Sequence, residues 1–160
     1  MDSVKKLKDI IEYLKTKKTL LYEMKDLTTQ QTDSITKEDV ETLSTLIGKK
    51  DDLIKRIMEI DNSFKSAYDS LKAELGVVSL DKSDALPKTL LVELKEQTKE
   101  ILDLIGDITK IDDDNKKNAQ IFKESLANKI RKINNTKQAY HAYFGKSTIF
   151  QGSYFIDSKK

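Results

Sequence analysis

Residues 40–75 read VETLSTLIGKKDDLIKRIMEIDNSFKSAYDSLKAEL. The series Val40, Leu43, Ile47, Lys50, Ile54, Ile57, Asp61, Phe64, Tyr68, Leu71, Leu75 advances in alternating steps of three and four, and only Lys50 and Asp61 in it are not apolar. Side chains so spaced share one face of an α-helix, which turns once in about 3.6 residues. Leu46, Leu53, Ile60 and Ala67 add a parallel row that widens the stripe to the breadth a helical bundle buries. Gly76 stands where a glycine closes a helix, while Gly48 inside it costs about 1 kcal/mol against alanine.

On the N-terminal side, Val4, Leu7, Ile10, Ile11, Leu14, Leu20, Leu21, Met24 and Leu27 mark a first helix that Asp2 or Ser3 can cap. The polar run Thr28-Thr29-Gln30-Gln31-Thr32 weakens that face, so the helix is expected over residues 2–32 with a link to Ile35. Thr36 with Asp39 three residues on has the shape of a capping box for the second helix, expected over 36–75, and Ile35 with Val40 the shape of its hydrophobic staple.

On the C-terminal side, Val77, Val78, Leu80 and Leu86 of the connection are expected to pack down, and Pro87 suits the first turn of a third helix. That helix is expected over 85–144. Two heptad rows run through it, one from Leu91 through Thr98, Ile105, Asp112, Ala119, Leu126 and Ile133 to Tyr140, the other from Leu94 through Ile101, Ile108, Asn115, Phe122, Lys129 and Thr136 to Tyr143. The rows fade at Asp112–Asn118 and again near Lys129, so the first half should pack on the other helices and the second half should be partly unsupported. At about 1.5 Å per residue the third helix would outrun its partners and must overhang or bend. From Gly145 the periodicity stops.

The expected fold is therefore all-α: an elongated antiparallel three-helix bundle or coiled coil over residues 1–144, with an overhanging C-terminal helix and a flexible aromatic tail over 145–160. Composition agrees, since 160 residues carry 35% charged and 38% hydrophobic side chains with only 5 Gly and 1 Pro. With no Cys, disulfides, thiolate metal sites and cysteine nucleophiles are excluded. A single His, His141, cannot build a multi-histidine metal centre, and no cofactor is expected. The 29 basic and 27 acidic residues leave a net charge of +2, too small for a field of one sign. No run approaches the ~18 apolar residues of a membrane span, and no secretory h-region follows the N-terminus. A cytoplasmic protein without membrane insertion is expected.

Candidate constellations are few. Asp112-Asp113-Asp114-Asn115 imitates the start of a calcium loop, but Lys117 and Lys123 stand where that loop needs Gly and Glu, so a solvated face or a weak point in the helix is expected. Lys116, Lys117, Lys123, Lys129, Arg131, Lys132 and Lys137 form a basic stretch broken by Glu124 alone; no stacking platform accompanies it, and nucleic acid is not expected as a partner. His141 lacks a partner for catalysis, and no enzymatic activity is expected. Tyr140, Tyr143, Phe144, Phe150, Tyr154 and Phe155 gather more than half of the chain's 6 Tyr and 5 Phe near the C-terminus. Such a segment either completes the core or orders on a partner.

Three stretches together resemble the FlgN family of flagellar type III export chaperones. They are Val40 to Ile54 (VETLSTLIGKKDDLI), Asn115-Lys116-Lys117-Asn118 followed by Ile121 and Leu126, and the close Ala139-Tyr140-His141-Ala142-Tyr143-Phe144-Gly145-Lys146 to Phe155-Ile156-Asp157-Ser158-Lys159-Lys160. The tail is more aromatic than the family's usual Ser/Gly-rich one, and two aromatics precede Gly145 where the family has one. The resemblance implies a cytoplasmic chaperone that masks the hook–filament junction proteins FlgK and FlgL and delivers them to the export gate component FlhA. Cargo would then lie on Phe122, Leu126, Ile130, Ile133 and Tyr140 of the third helix and on Ile149, Phe150, Tyr154, Phe155 and Ile156 of the tail. Tyr143 or Phe144 would dock at the gate. Two alternatives stay open: a FliT-type chaperone of another flagellar or virulence cargo, and a structural helical adaptor that self-associates, weakly, through the overhang.

Overall fold

The computed structural model describes residues 2–130, and the fold over them is all-α. Helix α1 spans Asp2–Thr36, α2 spans Val40–Leu75 and α3 spans Lys88–Ile130, with a short 3-10 turn at Leu80–Lys82. No strand occurs among the described residues. The expected end of the third helix near 144, its overhang and the tail lie outside them.

The chain forms two compact units, and each helix contributes a stretch to both. Residues 2–22 and 55–105 belong to the first unit, residues 23–54 and 106–130 to the second. In the first, Leu7, Ile10 and Leu14 of α1, Phe64 and Leu71 of α2 and Ile101 of α3 are essentially sealed from solvent. Phe64 and Tyr68 stack there with centroids 5.4 Å apart. Helix direction follows from the pairs formed: Lys6 meets Glu74 and Lys17 meets Asp61, so α1 and α2 run antiparallel, while Lys15 meets Glu93 and Lys18 meets Glu100, so α1 and α3 run parallel.

The second unit has a small apolar cluster of Ile35, Leu43, Ile47, Ala119 and Phe122, with Val40 against it. Met24, Leu46, Leu53 and Ile108 are buried in this unit as well, and beside them stand buried polar side chains. Lys50 Nζ donates to Gln31 Oε1 (2.7 Å) and pairs with Asp112 Oδ1 (3.4 Å). Asn115 donates through Nδ2 to the Thr28 carbonyl (3.0 Å) and accepts at Oδ1 from the Thr32 hydroxyl (2.7 Å). The polar gap at Asp112–Asn118 is thus no solvated weak point throughout: Asp113 and Asp114 are exposed, but Asn115 is 1% exposed and fully engaged with α1. A buried amide persists because its donor and acceptor are both satisfied.

Helix boundaries differ from the periodicity reading at both junctions. The run Thr28–Thr32 does not weaken α1 enough to end it: hydroxyls of Thr28, Thr29, Ser34 and Thr36 donate to the carbonyls four residues back, and Thr28 and Gln31 are buried against the other helices. Helix α1 therefore continues through Thr36, and residues 37–39 alone connect it to α2. Thr36 spends its hydroxyl inside α1, so the cap of α2 falls to Asp39, whose Oδ1 accepts the Thr42 N–H (3.1 Å) and Oδ2 the Thr42 hydroxyl (2.7 Å). Ile35 and Val40 still meet in one apolar cluster. In the second connection Leu80 and Leu86 are buried and Val77 half-buried, as expected, but Val78 is 80% exposed. The third helix begins at Lys88 rather than 85, so Pro87 stands just ahead of it instead of inside its first turn, and the Pro87 carbonyl accepts the Leu91 N–H (3.2 Å).

Candidate functional site

The α1–α2 turn and one face of α3 enclose an open cleft of about 320 Å³ within the second unit. Ile35, Thr36 and Glu38 line it from the turn, and Asn118, Ile121, Phe122 and Ser125 from α3. The α3 residues recur at the helical spacing of three and four, so they form one continuous strip. Phe122 is 6% exposed and forms the floor with Ile35, whereas Ile121 is 66% exposed at the rim. Glu38 is the one charged residue of the lining, and its Oε1 accepts a hydrogen bond from Ser125 Oγ (2.8 Å).

Two local arrangements position the turn. The Glu38 N–H donates to the Ile35 carbonyl (3.1 Å) and the Asp39 N–H to the Ser34 carbonyl (2.8 Å), which closes α1 with a Schellman motif. Asp39 then opens α2, and the bonds to Thr42 hold its carboxyl below the usual carboxylate range. Below the floor, the Asn115 bonds and the Lys50–Gln31–Asp112 group lock the three helices in register. Burial pulls the Lys50 amine below its usual range, opposed by the Asp112 charge.

The residues expected to carry cargo fall out as follows. Phe122 lies at the cleft floor, with most of its surface already committed to the core cluster. Leu126 and Ile130 are on the α3 backbone, but their side chains lie outside the described residues, as do Ile133, Tyr140, Ile149, Phe150, Tyr154, Phe155 and Ile156 entirely. Tyr143, Phe144 and His141 lie there too. Of the cleft residues, Glu38 and Ser125 are not singled out by the sequence reading. Ile35 carried the signal of a staple, while Glu38 carried none, because its contact with Ser125 joins residues 87 apart in the chain.

A second concavity of similar volume lies in the first unit, where Tyr68, Leu91, Leu94 and Leu102 meet Ser79 and Asp81 of the connection. Among the described residues no group of three or more His, Cys, Asp or Glu is placed to hold a metal, and no helix is long and apolar enough to cross a membrane. The chemistry available at the first cleft is that of a recognition surface: an apolar floor, an exposed isoleucine, two hydroxyls, an amide and one carboxylate.

No curated protein and no solved structure matches the chain. The family model described as FlgN protein matches residues 1–147. It is the family that the three motifs resemble. Because the match takes in both described units and nearly all of the 160 residues, the chain belongs to the FlgN family, the flagellar export chaperones.

Proposed function

We propose that this chaperone acts in the cytoplasm on the hook–filament junction proteins FlgK and FlgL, keeps them from associating early and hands them to the export gate component FlhA. The observation that carries the reading is the family match over residues 1–147. Masking a cargo helix needs an apolar strip and no covalent step, so no residue is assigned a catalytic role. Cargo contact is assigned to the α3 strip through Phe122, Leu126, Ile130, Ile133 and Tyr140 and to the tail residues Ile149, Phe150, Tyr154, Phe155 and Ile156. Tyr143 or Phe144 is assigned to the gate. Ordering a tail on binding costs conformational entropy, which keeps such a complex reversible.

Calorimetric titration of the full chain, and of a truncation ending at Phe144, with the terminal helices of FlgK and FlgL tests this. Binding that weakens sharply in the truncation supports cargo contact in the tail. Equal binding by both moves the contact to α3. Absence of binding together with stable self-association overturns the junction-protein assignment in favour of a helical adaptor.

A further inference from the structure

Helix α3 meets α1 through an apolar seam flanked by matched charges, in which Glu93, Glu100 and Asp107 face Lys15, Lys18 and Lys25. Its flank toward the groove of the first unit carries a row of the same kind with nothing opposite. Lys95, Lys99 and Asp103 line that groove at four-residue spacing, one above the other on the helix surface, and all three are exposed. Among the described residues, none of these three side chains takes part in an ion pair or a hydrogen bond.

Beside the row the groove offers about 320 Å³ over an apolar floor. Leu91 and Leu94 of α3 and Tyr68 of α2 are buried there, and Leu102 is half-buried. Between them the Thr98 hydroxyl donates to the Leu94 carbonyl (2.7 Å), so it is spent within α3. Ser79 and Asp81 wall the far side, and the Ser79 hydroxyl donates to the Asp81 carboxylate, which engages that charge. The Leu80 backbone hydrogen-bonds to the Tyr68 hydroxyl, and Leu80 itself is sealed from solvent. The wall is thus fixed on α2 before anything binds, which lowers the ordering cost of an occupant.

From Leu91 to Asp103 the strip runs about 18 Å, a little over three helical turns. An extended segment laid on it would press backbone N–H and C=O groups against leucine without partners, whereas a helix satisfies its own. We propose that this groove docks an amphipathic helix of a partner protein. Its apolar stripe lies on Tyr68, Leu91, Leu94 and Leu102, and along one edge it carries two carboxylates and then a cation, one turn apart, to meet Lys95, Lys99 and Asp103. The order of charges, two positive and then one negative, selects the partner and its register, as flanking charges do in a coiled coil. None of the residues assigned to cargo or to the gate lines this groove, so the proposal goes beyond that reading and does not depend on it.

The test uses the full chain and synthetic helical peptides of about four turns, followed by fluorescence anisotropy. Each peptide has a leucine stripe edged by two glutamates and a lysine at four-residue spacing, and it is made in both chain directions. At least one direction should bind saturably, and its counterpart with two lysines and a glutamate should bind about tenfold more weakly. The variant Lys95→Glu/Lys99→Glu/Asp103→Lys keeps like and unlike neighbours within the row as they are, so it should melt as wild type does. It should prefer the reversed peptide by a similar factor. Binding of neither direction overturns the proposal, as does a preference that does not invert with the charges of the chain. Melting of the variant well below wild type with no peptide present means that a segment of this chain already lies on the row, and overturns the assignment to a partner. A wild-type dimer that the variant dissociates, read by analytical ultracentrifugation, means that a second copy is the occupant and overturns that assignment likewise.

Discussion

Lys17 and Asp61 face each other at 2.6 Å with side chains 1% and 5% exposed, in a unit whose other large sealed side chains are Leu, Ile and Phe. Burial pulls the Lys17 amine down and lifts the Asp61 carboxyl, and each charge opposes the shift of the other. Removing one partner strands the other in a buried position, so Lys17→Met alone should destabilise the protein by about 3–5 kcal/mol in urea melts. Lys17→Met combined with Asp61→Leu should recover most of that loss, because two desolvation penalties vanish with the pair. Asp39 gives a pH signature at the other unit's turn. Its folded carboxyl lies below the ordinary 3.8 because Thr42 hydrogen bonds favour the ionised form. That contribution is present in full above pH 3.8 and is lost as pH falls through the folded value. Asp39→Ala should therefore melt lower than wild type at pH 7, with the gap closing in acid, as thermal scans at stepped pH would record.

The two stretches of α1 differ in what they bury. Residues Leu7, Ile10, Leu14 and Leu21 seal the first, while Thr28, Gln31 and Ser34 occupy buried positions in the second. A buried leucine contributes about 1.5–3 kcal/mol that a threonine hydroxyl does not, and hydroxyls bonded four residues back compete with the helix backbone. Amides of 28–36 should exchange with deuterium about tenfold or more faster than those of 10–21, read peptide by peptide. Much of this architecture is legible in sequence: the α2 series gives the buried face almost position for position, and both α3 rows are buried from Leu91 and Leu94 to Ala119 and Phe122 except at half-buried Asp112. The polar members Lys50 and Asp61 stand out as breaks, but their partners do not. Lys17 sits in Lys15-Thr16-Lys17-Lys18 and Gln31 in Gln30-Gln31, runs that look the same whether solvated or buried. Periodicity reports which face is inward, not which residue of another helix waits there. The α1–α2 junction was misplaced for a related reason, since Thr36 and Asp39 both suit a cap and only the folded turn decides between them. The cleft was half legible: Phe122 belongs to a heptad row, while Ile121 lies off it and Glu38 comes from a distant turn.

Taken as a whole, the chain carries 29 basic and 27 acidic residues, and ion pairs such as Lys6–Glu74, Lys18–Glu100 and Lys25–Asp107 tie opposite charges together across helices. Without a field of one sign there is little to steer a partner from a distance. Association with cargo should therefore proceed at about 10⁵–10⁶ M⁻¹s⁻¹, changing less than about threefold between 50 and 300 mM salt in stopped-flow traces. A nucleic-acid partner would instead lose affinity steeply over that range. The turn at 37–39 has a further consequence. Asp39 supplies the last N–H that closes α1 and the carboxylate that opens α2, so one residue serves as both the final and the first of two helices. Such a junction has no slack. One added codon there would separate the two duties and rotate α2 by about 100° relative to the faces it must match. The connection between Gly76 and Pro87, with Val78 standing in solvent, is where an epitope or a fluorophore can be spliced into this protein, and where lineages of the chain are free to differ in length.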